Sequence, residues 1–513
     1  MRHPVTLPAV VLTSLALLAA PAAAAGPSPG AAGLGDRLNP GIGNGGYDVI
    51  HYDLGLRYAT SDPAQSIDGN ETILARATQS LSRFNLDFAG DGLAAVYVNG
   101  RSARFTRDGE ELVITPRDAI RKGARFLVTI THFRATPTEP GDDPTSEAFF
   151  ITPDGSGTAP QPYYAHLVYP SNDHPRDKAT FTFRFDVPAG RDPVANGVEL
   201  ARWTRGGRTH SIYLMRQPMA TELTQIAVGD WDFTPTEVHR GVPIRDVVAP
   251  SLTELMEPIL ALEPAQLDYM VDRVGRYPFD IFGSFVPDTD LGFALETQTI
   301  SLIDQSWFTE FGQGVWDPTM VHELSHMWFG DSVSPYEWSD LWLNEGHASW
   351  YEFLYAEEHG FLEEDTEFYP DEQGYATMEE LMRAVYAHGN QWRHDFGPVA
   401  RPSHGDFDNL FSFNVYHGGA LVLYALRQKI GNAAFSRLER EWVSRYRDDV
   451  ASTDDFIDLA SRVSGRNLRP FLRAWLYGER IPPMPGHPDW TADPVVEESG
   501  LRALSVATMA RRR

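Results

Sequence analysis

The chain has 513 residues, no cysteine, and 70 acidic against 43 basic residues, for a formal net charge of −27. A surface this acidic repels nucleic acid and anionic membranes, so we expect neither as a partner. Because no thiolate is available, a bound zinc ion would have to be held by His, Asp and Glu side chains.

Residues 1–25 have the composition of an export signal. A charged start precedes an apolar stretch from Leu7 to Ala20, and small residues suited to cleavage follow at 21–25. The apolar stretch is too short and too rich in alanine for a membrane span. We therefore predict cleavage near Ala25, secretion to the extracellular space, and no membrane attachment of the mature chain.

The rest of the chain is predicted to be an α+β protein of more than one domain. Residues 26–46 are rich in Gly, Pro and Ala and are predicted to be a linker. Over 47–235, short alternating stretches separated by turn residues indicate an antiparallel β-sandwich or saddle-shaped domain. Over 236–480, apolar residues recur every three or four positions, which predicts a mostly helical domain. The Pro-rich end, 481–513, is predicted to be a disordered tail.

The most informative motif is the HExxH segment His322–His326, followed after eighteen intervening residues by Glu345. On a helix, His322 and His326 share one face and can bind one ion. Glu323 lies about 100° around the helix, beside the ion, where a general base is needed. The motif predicts a hydrolytic zinc site with one ion per chain.

Hydrolytic zinc sites have three protein ligands and keep a fourth position for water. We assign His322, His326 and Glu345 as the ligands and Glu323 as the base that takes the proton of the attacking water. His347 lies about 200° from Glu345 on a helix and cannot share the ion with it. Carboxylates commonly orient zinc-bound histidines. The candidates for that role are Asp331, Asp340 and Glu352.

Several segments together resemble the gluzincin aminopeptidase family, which includes alanyl aminopeptidases and leukotriene hydrolases. Segments 321–331 and 338–346 resemble the family's zinc helix and third-ligand helix. Segment 292–296 resembles its substrate-edge strand, and segment 416–421 resembles the one that holds its catalytic tyrosine. The likeness covers about residues 47–480 and implies a thermolysin-like, mostly helical zinc catalytic domain after the β domain.

The resemblance also implies roles for residues outside the zinc motif. Tyr416 would stabilise the tetrahedral oxyanion through its phenol. Glu296 would bind the free α-amine of the substrate, which restricts cleavage to the first residue. Backbone groups of Gly292, Phe293 and Ala294 would pair with the peptide as an added strand.

The chain departs from the family's pattern in the β domain. Many members donate a second amine-binding glutamate from a Gln-Pro-Glu-Gly-like loop, whereas this chain reads Gln161-Pro162-Tyr163-Tyr164. Gln161 remains a candidate substrate-binding residue, but the second acid is missing. Smaller departures are Thr297 after Glu296 and Gly418 in place of a basic residue.

The expected function is that of a secreted zinc aminopeptidase that hydrolyses N-terminal residues from peptides. One alternative is a metallopeptidase with relaxed N-terminal recognition, which would act like an endopeptidase. Another is a catalytically inactive exported binding protein, but such a protein is expected to lose a metal ligand, Glu323 or Tyr416, and none is lost. A monomer is the favoured state, although no sequence feature determines the oligomeric state.

Overall fold

The computed structural model describes residues 26–137, 148–364, 368–404 and 409–496. The predicted signal peptide, residues 1–25, and the last part of the predicted tail, residues 497–513, lie outside the described residues. None of the helices in the described ranges is both long and apolar enough to cross a lipid bilayer.

Extended strands and one short helix make up the N-terminal part of the chain. They are β1 (Ser28–Pro29), β2 (Tyr47–Tyr58), β3 (Ile67–Ala77), β4 (Leu81–Asp87), β5 (Ala95–Val98), β6 (Arg101–Ser102), β7 (Arg104–Asp108), β8 (Glu111–Thr115), β9 (Arg125–Ala135), β10 (Phe149–Ile151), β11 (Gly155–Thr158), α1 (Ala165–Val168), β12 (Ala179–Pro188), β13 (Asp192–Ala195), β14 (Val198–Arg205), β15 (Arg208–Met219) and β16 (Ile226–Gly229).

These strands form an eight-stranded sheet in the order β14-β15-β12-β2-β3-β9-β5-β6 and two four-stranded sheets, β1-β4-β8-β7 and β10-β11-β16-β13. The burial pattern of β3 explains why this segment forms a strand of a sheet with one face in the core. Ile73, Ala75 and Ala77 are buried, whereas the alternate residues Leu74 and Arg76 are not. Most neighbouring strands are antiparallel, as expected, but β2 pairs with β12 and β1 with β4 in parallel.

The C-terminal part combines a mixed sheet with helices. Its strands are β17 (Asp232–Phe233), β18 (Glu237–His239), β19 (Val242–Ile244), β20 (Val247–Val248), β21 (Ser284–Val286), β22 (Ala294–Leu295), β23 (Ser301–Ile303), β24 (Val333–Pro335) and β25 (Asp449–Ala451). Its helices are α2 (Thr253–Leu260), α3 (Glu263–Val274), α4 (Ser306–Glu310), α5 (Gln313–His326), α6 (Trp342–His359), α7 (Met378–Phe396), α8 (Phe413–Ile430), α9 (Asn432–Arg445), α10 (Thr453–Ser464) and α11 (Arg469–Tyr477). The prediction of a β-rich domain followed by a mostly helical one is confirmed.

The five-stranded sheet β17-β20-β21-β23-β22 places its last strand at an edge. Strand β22 is antiparallel to β23, whereas β21 is parallel both to β20 and to β23. Because β22 is the last strand in the order, its outer backbone groups are free to pair with another extended chain. The predicted substrate-edge segment thus lies on a sheet edge.

Helix α6 packs closely on its neighbour α8 because glycines meet at their contact. A Cβ atom added to Gly346 would lie 2.9 Å from the Cα atom of Gly419, closer than real Cβ contacts allow. Two glycines therefore let the helix backbones approach each other. Helix α6 ends at Gly360, which has a left-handed conformation (φ 76°) that suits glycine.

Residues 26–46, predicted to be a linker, pack against both parts of the chain, and we call them the N-terminal strap. The Asp36 carboxylate accepts a hydrogen bond from the backbone of Trp338 (2.8 Å) and lies 3.3 Å from His174 Nε2. Arg37 donates to Ser339 Oγ and to the carbonyl oxygen of Pro402. Buried hydrogen bonds to distant backbone groups explain why a segment of linker-like composition is ordered.

Residues 481–496, predicted to belong to a disordered tail, pack on helices α7 and α8. Met484 and Trp490 are buried, and the Trp490 ring stacks on Tyr424 at a centroid distance of 5.9 Å. Tyr386 Oη donates to the carbonyl oxygen of Pro482. Burial of the tryptophan ring stabilises the packing of this segment, although the segment has no regular secondary structure.

Candidate active site

Helices α5 and α6 bring the three predicted metal ligands together. His322 Nε2 and His326 Nε2 each lie 3.4 Å from Glu345 Oε2. All three side chains are buried, and their ligand atoms lie within 4.8 Å of one another. Side chains four apart on α5 and a carboxylate on the adjacent helix therefore converge on one point.

This arrangement fits a zinc ion. Zinc–ligand bonds of about 2.0–2.1 Å in a tetrahedron separate the ligand atoms by about 3.3–3.4 Å, which matches the two nitrogen–oxygen distances. Glu345 Oε2 is buried, and no described residue forms a hydrogen bond to it. Burial raises the pKa of Glu345, but the imidazoles of His326 and His322 lower it to about 2, so the carboxylate is ionised. An ionised, buried oxygen facing two imidazole nitrogens is what a metal cation requires.

The outer nitrogens of the two imidazoles have different partners. His322 Nδ1 donates to Glu352 Oε2 at 2.8 Å, and His326 Nδ1 donates to the carbonyl oxygen of Phe329 at 3.1 Å. In the neutral ring that a metal ligand requires, each bond leaves the Nε2 lone pair directed at the metal position. Of the three candidate orienting carboxylates, Glu352 contacts a ligand, whereas Asp340 accepts hydrogen bonds from Thr453.

Glu323 lies beside the ligands with one free oxygen. Its Oε2 atom is buried and has no hydrogen-bond partner within the described ranges of the chain. Burial raises the pKa of Glu323 to about 8, although the charges of His322 and His326 act to lower it. A bound dication would lower this raised pKa and so favour the deprotonated, basic form of the carboxylate. The carboxylate is thus placed to accept a proton at the metal position.

Tyr416 lies on α8 with its ring stacked over His322, at a centroid distance of 5.9 Å and an interplanar angle of 13°. Burial raises the pKa of Tyr416 well above its usual value, and the carboxylates of Glu345, Glu296 and Glu323 add to this. The phenol therefore keeps its proton and can donate a hydrogen bond into the cavity.

The predicted amine-binding carboxylate follows the edge strand β22. Glu296 is buried and lies 4.0 Å from His326 Nδ1. Gln161 Nε2, from the β-rich part, donates to Glu296 Oε1 at 2.8 Å. Burial raises the pKa of Glu296, the His326 charge opposes this, and Glu345 adds to it. Tyr163 does not line the cavity, so the missing second acid is not replaced there.

One cavity contains every residue proposed from the sequence for metal binding, catalysis or substrate binding. It is lined by His322, Glu323, His326, Glu345, Tyr416, Glu296, Gly292, Phe293, Ala294 and Gln161. His347 lies outside the ligand cluster, fully buried, and its Nδ1 donates to the carbonyl oxygen of Leu343.

Two further groups of residues that line the cavity were not predicted from the sequence. The rings of Trp307 and Phe368 stack at a centroid distance of 4.8 Å and form one wall. Ser349 and His417 line the cavity next to catalytic elements. Ser349 is four residues after the predicted ligand Glu345 and therefore lies on the same face of the helix. That spacing is the sequence signal by which it could have been predicted. His417 directly follows Tyr416, but nothing in the sequence shows that its ring reaches the same cavity.

Comparison with known proteins supports this description of the site. Residues 291–475 match the family described as the Peptidase family M1 domain. The chain is 26% identical over 364 residues to Aminopeptidase N of Streptomyces lividans and 24% identical over 330 residues to Glutamyl aminopeptidase of Sus scrofa. These matches cover 67% and 62% of this chain but only 40% and 34% of the relatives. The chain thus spans less than half the length of these curated relatives.

Solved structures match over nearly the whole described chain. The M1 zinc metallopeptidase from Deinococcus radiodurans is 27% identical, with a TM-score of 0.74, and the match covers 88% of this chain and 99% of that one. A second structure is that of a mutant M1 zinc metallopeptidase from the same organism, bound to a Tyr-Ser-Ala substrate. It is 28% identical, with a TM-score of 0.74, and the match covers 89% of this chain and 100% of that one.

Proposed function

We propose that this chain, which belongs to the M1 family of gluzincin aminopeptidases, is a zinc-dependent aminopeptidase that hydrolyses N-terminal residues from peptides. The observation that carries the proposal is the presence of two arrangements in one cavity. His322, His326 and Glu345 have zinc-ligand spacing, and a buried carboxylate, Glu296, lies 4.0 Å from the outer nitrogen of His326. A metal centre and a site for a cation lie next to each other.

His322, His326 and Glu345 would hold the zinc ion, which supplies Lewis-acid polarisation of the scissile carbonyl and a more acidic water. Glu323 takes the proton of the attacking water through its free oxygen and passes it to the leaving amine. The Tyr416 phenol, protonated at neutral pH, donates a hydrogen bond to the oxygen that becomes negative in the tetrahedral intermediate.

Glu296 determines which bond is cut. Its carboxylate is buried and accepts a hydrogen bond from the neutral Gln161 amide, so an N-terminal ammonium would supply the opposite charge. The outer edge of β22 would pair with the peptide backbone through Gly292 and Ala294. With the amine held beside His326, the bond within reach of Glu323 is the first peptide bond of the substrate.

We also propose that the enzyme is exported and acts as a monomer on peptides outside the cell. The support for export is the composition of residues 1–25, with a charged start, an apolar stretch and small residues. Amino-terminal sequencing of the protein recovered from the culture medium would test this proposal, with Gly26 expected as the first residue.

Paired substrates test the proposed activity. Aminoacyl chromogenic anilides and their N-acetylated forms are incubated with the purified protein, with and without a chelator. We expect cleavage of the free-amine forms only, and loss of that cleavage with the chelator. Equal cleavage of blocked substrates would indicate the endopeptidase-like alternative. Absence of zinc and of turnover would indicate an inactive binding protein.

A further inference from the structure

The cavity has two ends that differ in the partners of the zinc-ligand imidazoles. At the His326 end, Glu296 and Gln161 form the proposed amine site. At the other end, His322 Nδ1 is bound by Glu352. If the proposed function is correct, the first residue of the substrate lies at the His326 end. The residue after the cleaved bond then lies towards the His322 end.

Ser349 contributes an unpartnered hydroxyl at the His322 end. It lies on α6 between Glu345 and Glu352, at positions that share one face of the helix, and all three line the cavity. The residue is only 1% exposed, and its Oγ atom is buried without a hydrogen-bond partner among the residues that the structure describes. A buried hydroxyl with no partner is destabilising and calls for a functional explanation.

His417, on helix α8, contributes a second unpartnered group to the same cavity. The residue is 5% exposed and lines the same cavity, and its Nδ1 atom is buried with no hydrogen-bond partner in the described part of the chain. Its ring is surrounded by aromatic rings, including Phe353 and Phe413 at centroid distances of 5.1 Å, which offer no hydrogen-bond acceptor of their own. Burial lowers the pKa of His417 to about 3, so its neutral ring has one donor and one acceptor nitrogen.

Thr319 shows that this lack of partners is not general for hydroxyl groups at the His322 end. Thr319 lies one helical turn before His322 and also lines the cavity. Its Oγ1 atom donates to the carbonyl oxygen of Val315 at 2.9 Å and is therefore satisfied within its own helix. Ser349 and His417 differ from it in having hydrogen-bonding capacity left for a ligand.

We propose that Ser349 and His417 form a polar subsite that hydrogen-bonds the side chain of the second substrate residue, so that the enzyme favours a hydroxyl or carboxamide side chain there. Such side chains both donate and accept hydrogen bonds, as the subsite requires. Acidic side chains are disfavoured because Glu323, Glu345 and Glu352 line the same cavity, and no lysine or arginine is among its described lining residues.

Isosteric peptide pairs test the subsite. The zinc-loaded enzyme is given Leu-Thr-Ala against Leu-Val-Ala, and Leu-Asn-Ala against Leu-Leu-Ala, and leucine release is measured. One satisfied hydrogen bond predicts a kcat/KM at least about fivefold higher for the polar member of each pair. Ser349→Ala and His417→Phe should bring both ratios close to one. Thr319→Val, which removes a hydroxyl already bound within its helix, should keep them.

The outcomes separate the subsite from the activity on which it rests. Leucine release with equal kcat/KM for both members of each pair would overturn the subsite and leave the aminopeptidase activity standing. Ratios that survive both Ser349→Ala and His417→Phe would assign the preference to other residues and also overturn the proposal. No leucine release from any peptide would remove the proposed activity and the subsite with it. Should His417→Phe not fold, Ser349→Ala, which only deletes a hydroxyl, decides alone.

Discussion

The metal cluster and the amine-binding end of the cavity are assembled in different ways. His322, His326 and Glu345 come from two helices that follow each other closely in the chain. Glu296 and Gln161, in contrast, are 135 residues apart and meet only because the β-rich part packs against the mixed sheet. One half of the site depends on helical geometry, and the other depends on how two parts of the protein pack.

This difference separates rate from selectivity. Changes in the metal half should lower turnover for every substrate, since all substrates share the same hydrolytic step. Changes in the amine half should act through recognition of the free N-terminus, because Glu296 is proposed to bind a charge that blocked peptides lack.

The largest effect is expected for Glu323→Gln. Loss of the general base should lower kcat/KM by about 10³- to 10⁴-fold for all substrates, while the three ligands still hold zinc. Turnover and metal content per chain are measured on the same preparation, with Glu254→Gln, an exposed carboxylate on α2, as the control. A variant with full zinc content and normal turnover would show that Glu323 is not the base.

Tyr416→Phe should have the next largest effect. Removing a hydrogen bond that forms only to the developing oxyanion should lower kcat by about 10²- to 10³-fold with KM little changed. Tyr424→Phe on the same helix is the matched control, because its hydroxyl contacts His487 and lies outside the cavity lining. An unchanged kcat for Tyr416→Phe would exclude the phenol from transition-state stabilisation.

Glu296→Gln tests the amine half. Removing one partner of a buried charge pair should lower kcat/KM for free-amine substrates by about 10²-fold, while N-acetylated substrates, which the wild-type enzyme is not expected to cleave, remain uncleaved. Gln161→Ala should have a smaller effect in the same direction, because a neutral amide only orients the carboxylate. An unchanged kcat/KM of Glu296→Gln on free-amine substrates would break the division between rate and selectivity.

Glu352→Gln examines His322, the ligand imidazole whose Nδ1 atom is hydrogen-bonded to a carboxylate. The His322 Nδ1–Glu352 bond fixes that ring, so its weakening should reduce zinc affinity by about 10- to 100-fold. Once saturated with zinc, the variant should recover most of its turnover. Zinc titration against a competing chelator measures the affinity, and an unchanged value would show that the bond is not needed for metal retention.

Sequence and structure agree best where geometry is local. The convergence of His322 and His326, with Glu323 beside them, was predictable because the helix period places side chains over a few residues. The edge position of segment 292–296 was expected from the family resemblance. Ser349 and His417 were not found, because their significance lies in a lack of protein partners, which only tertiary packing determines. The strap escaped prediction for the same reason: Asp36 and Trp338 are 302 residues apart.

The smallest effect on activity, and a clear effect on stability, is expected for Asp36→Ala in the N-terminal strap. The carboxylate accepts hydrogen bonds from the backbone of Leu38, Asn39 and Trp338, so its loss should lower the free energy of unfolding by about 3 kcal/mol at pH 7. Because the strap does not line the cavity, Asp36→Ala should change kcat/KM by less than about twofold, as expected for a substitution remote from the active site.

The pH dependence of this stability difference has a definite sign. Burial raises the pKa of Asp36, but hydrogen bonds from His174, Trp338 and Asn39 outweigh it, and the folded-state pKa is lowered. A lowered pKa contributes stability above the unfolded-state value of about 3.9, and that contribution is lost as the pH falls through the folded-state pKa. Urea unfolding of chelator-treated wild-type protein and Asp36→Ala should therefore differ at pH 7 and converge only below about pH 4. A difference that is independent of pH would mean that the packing of the strap, and not the charge of Asp36, joins the two parts of the chain.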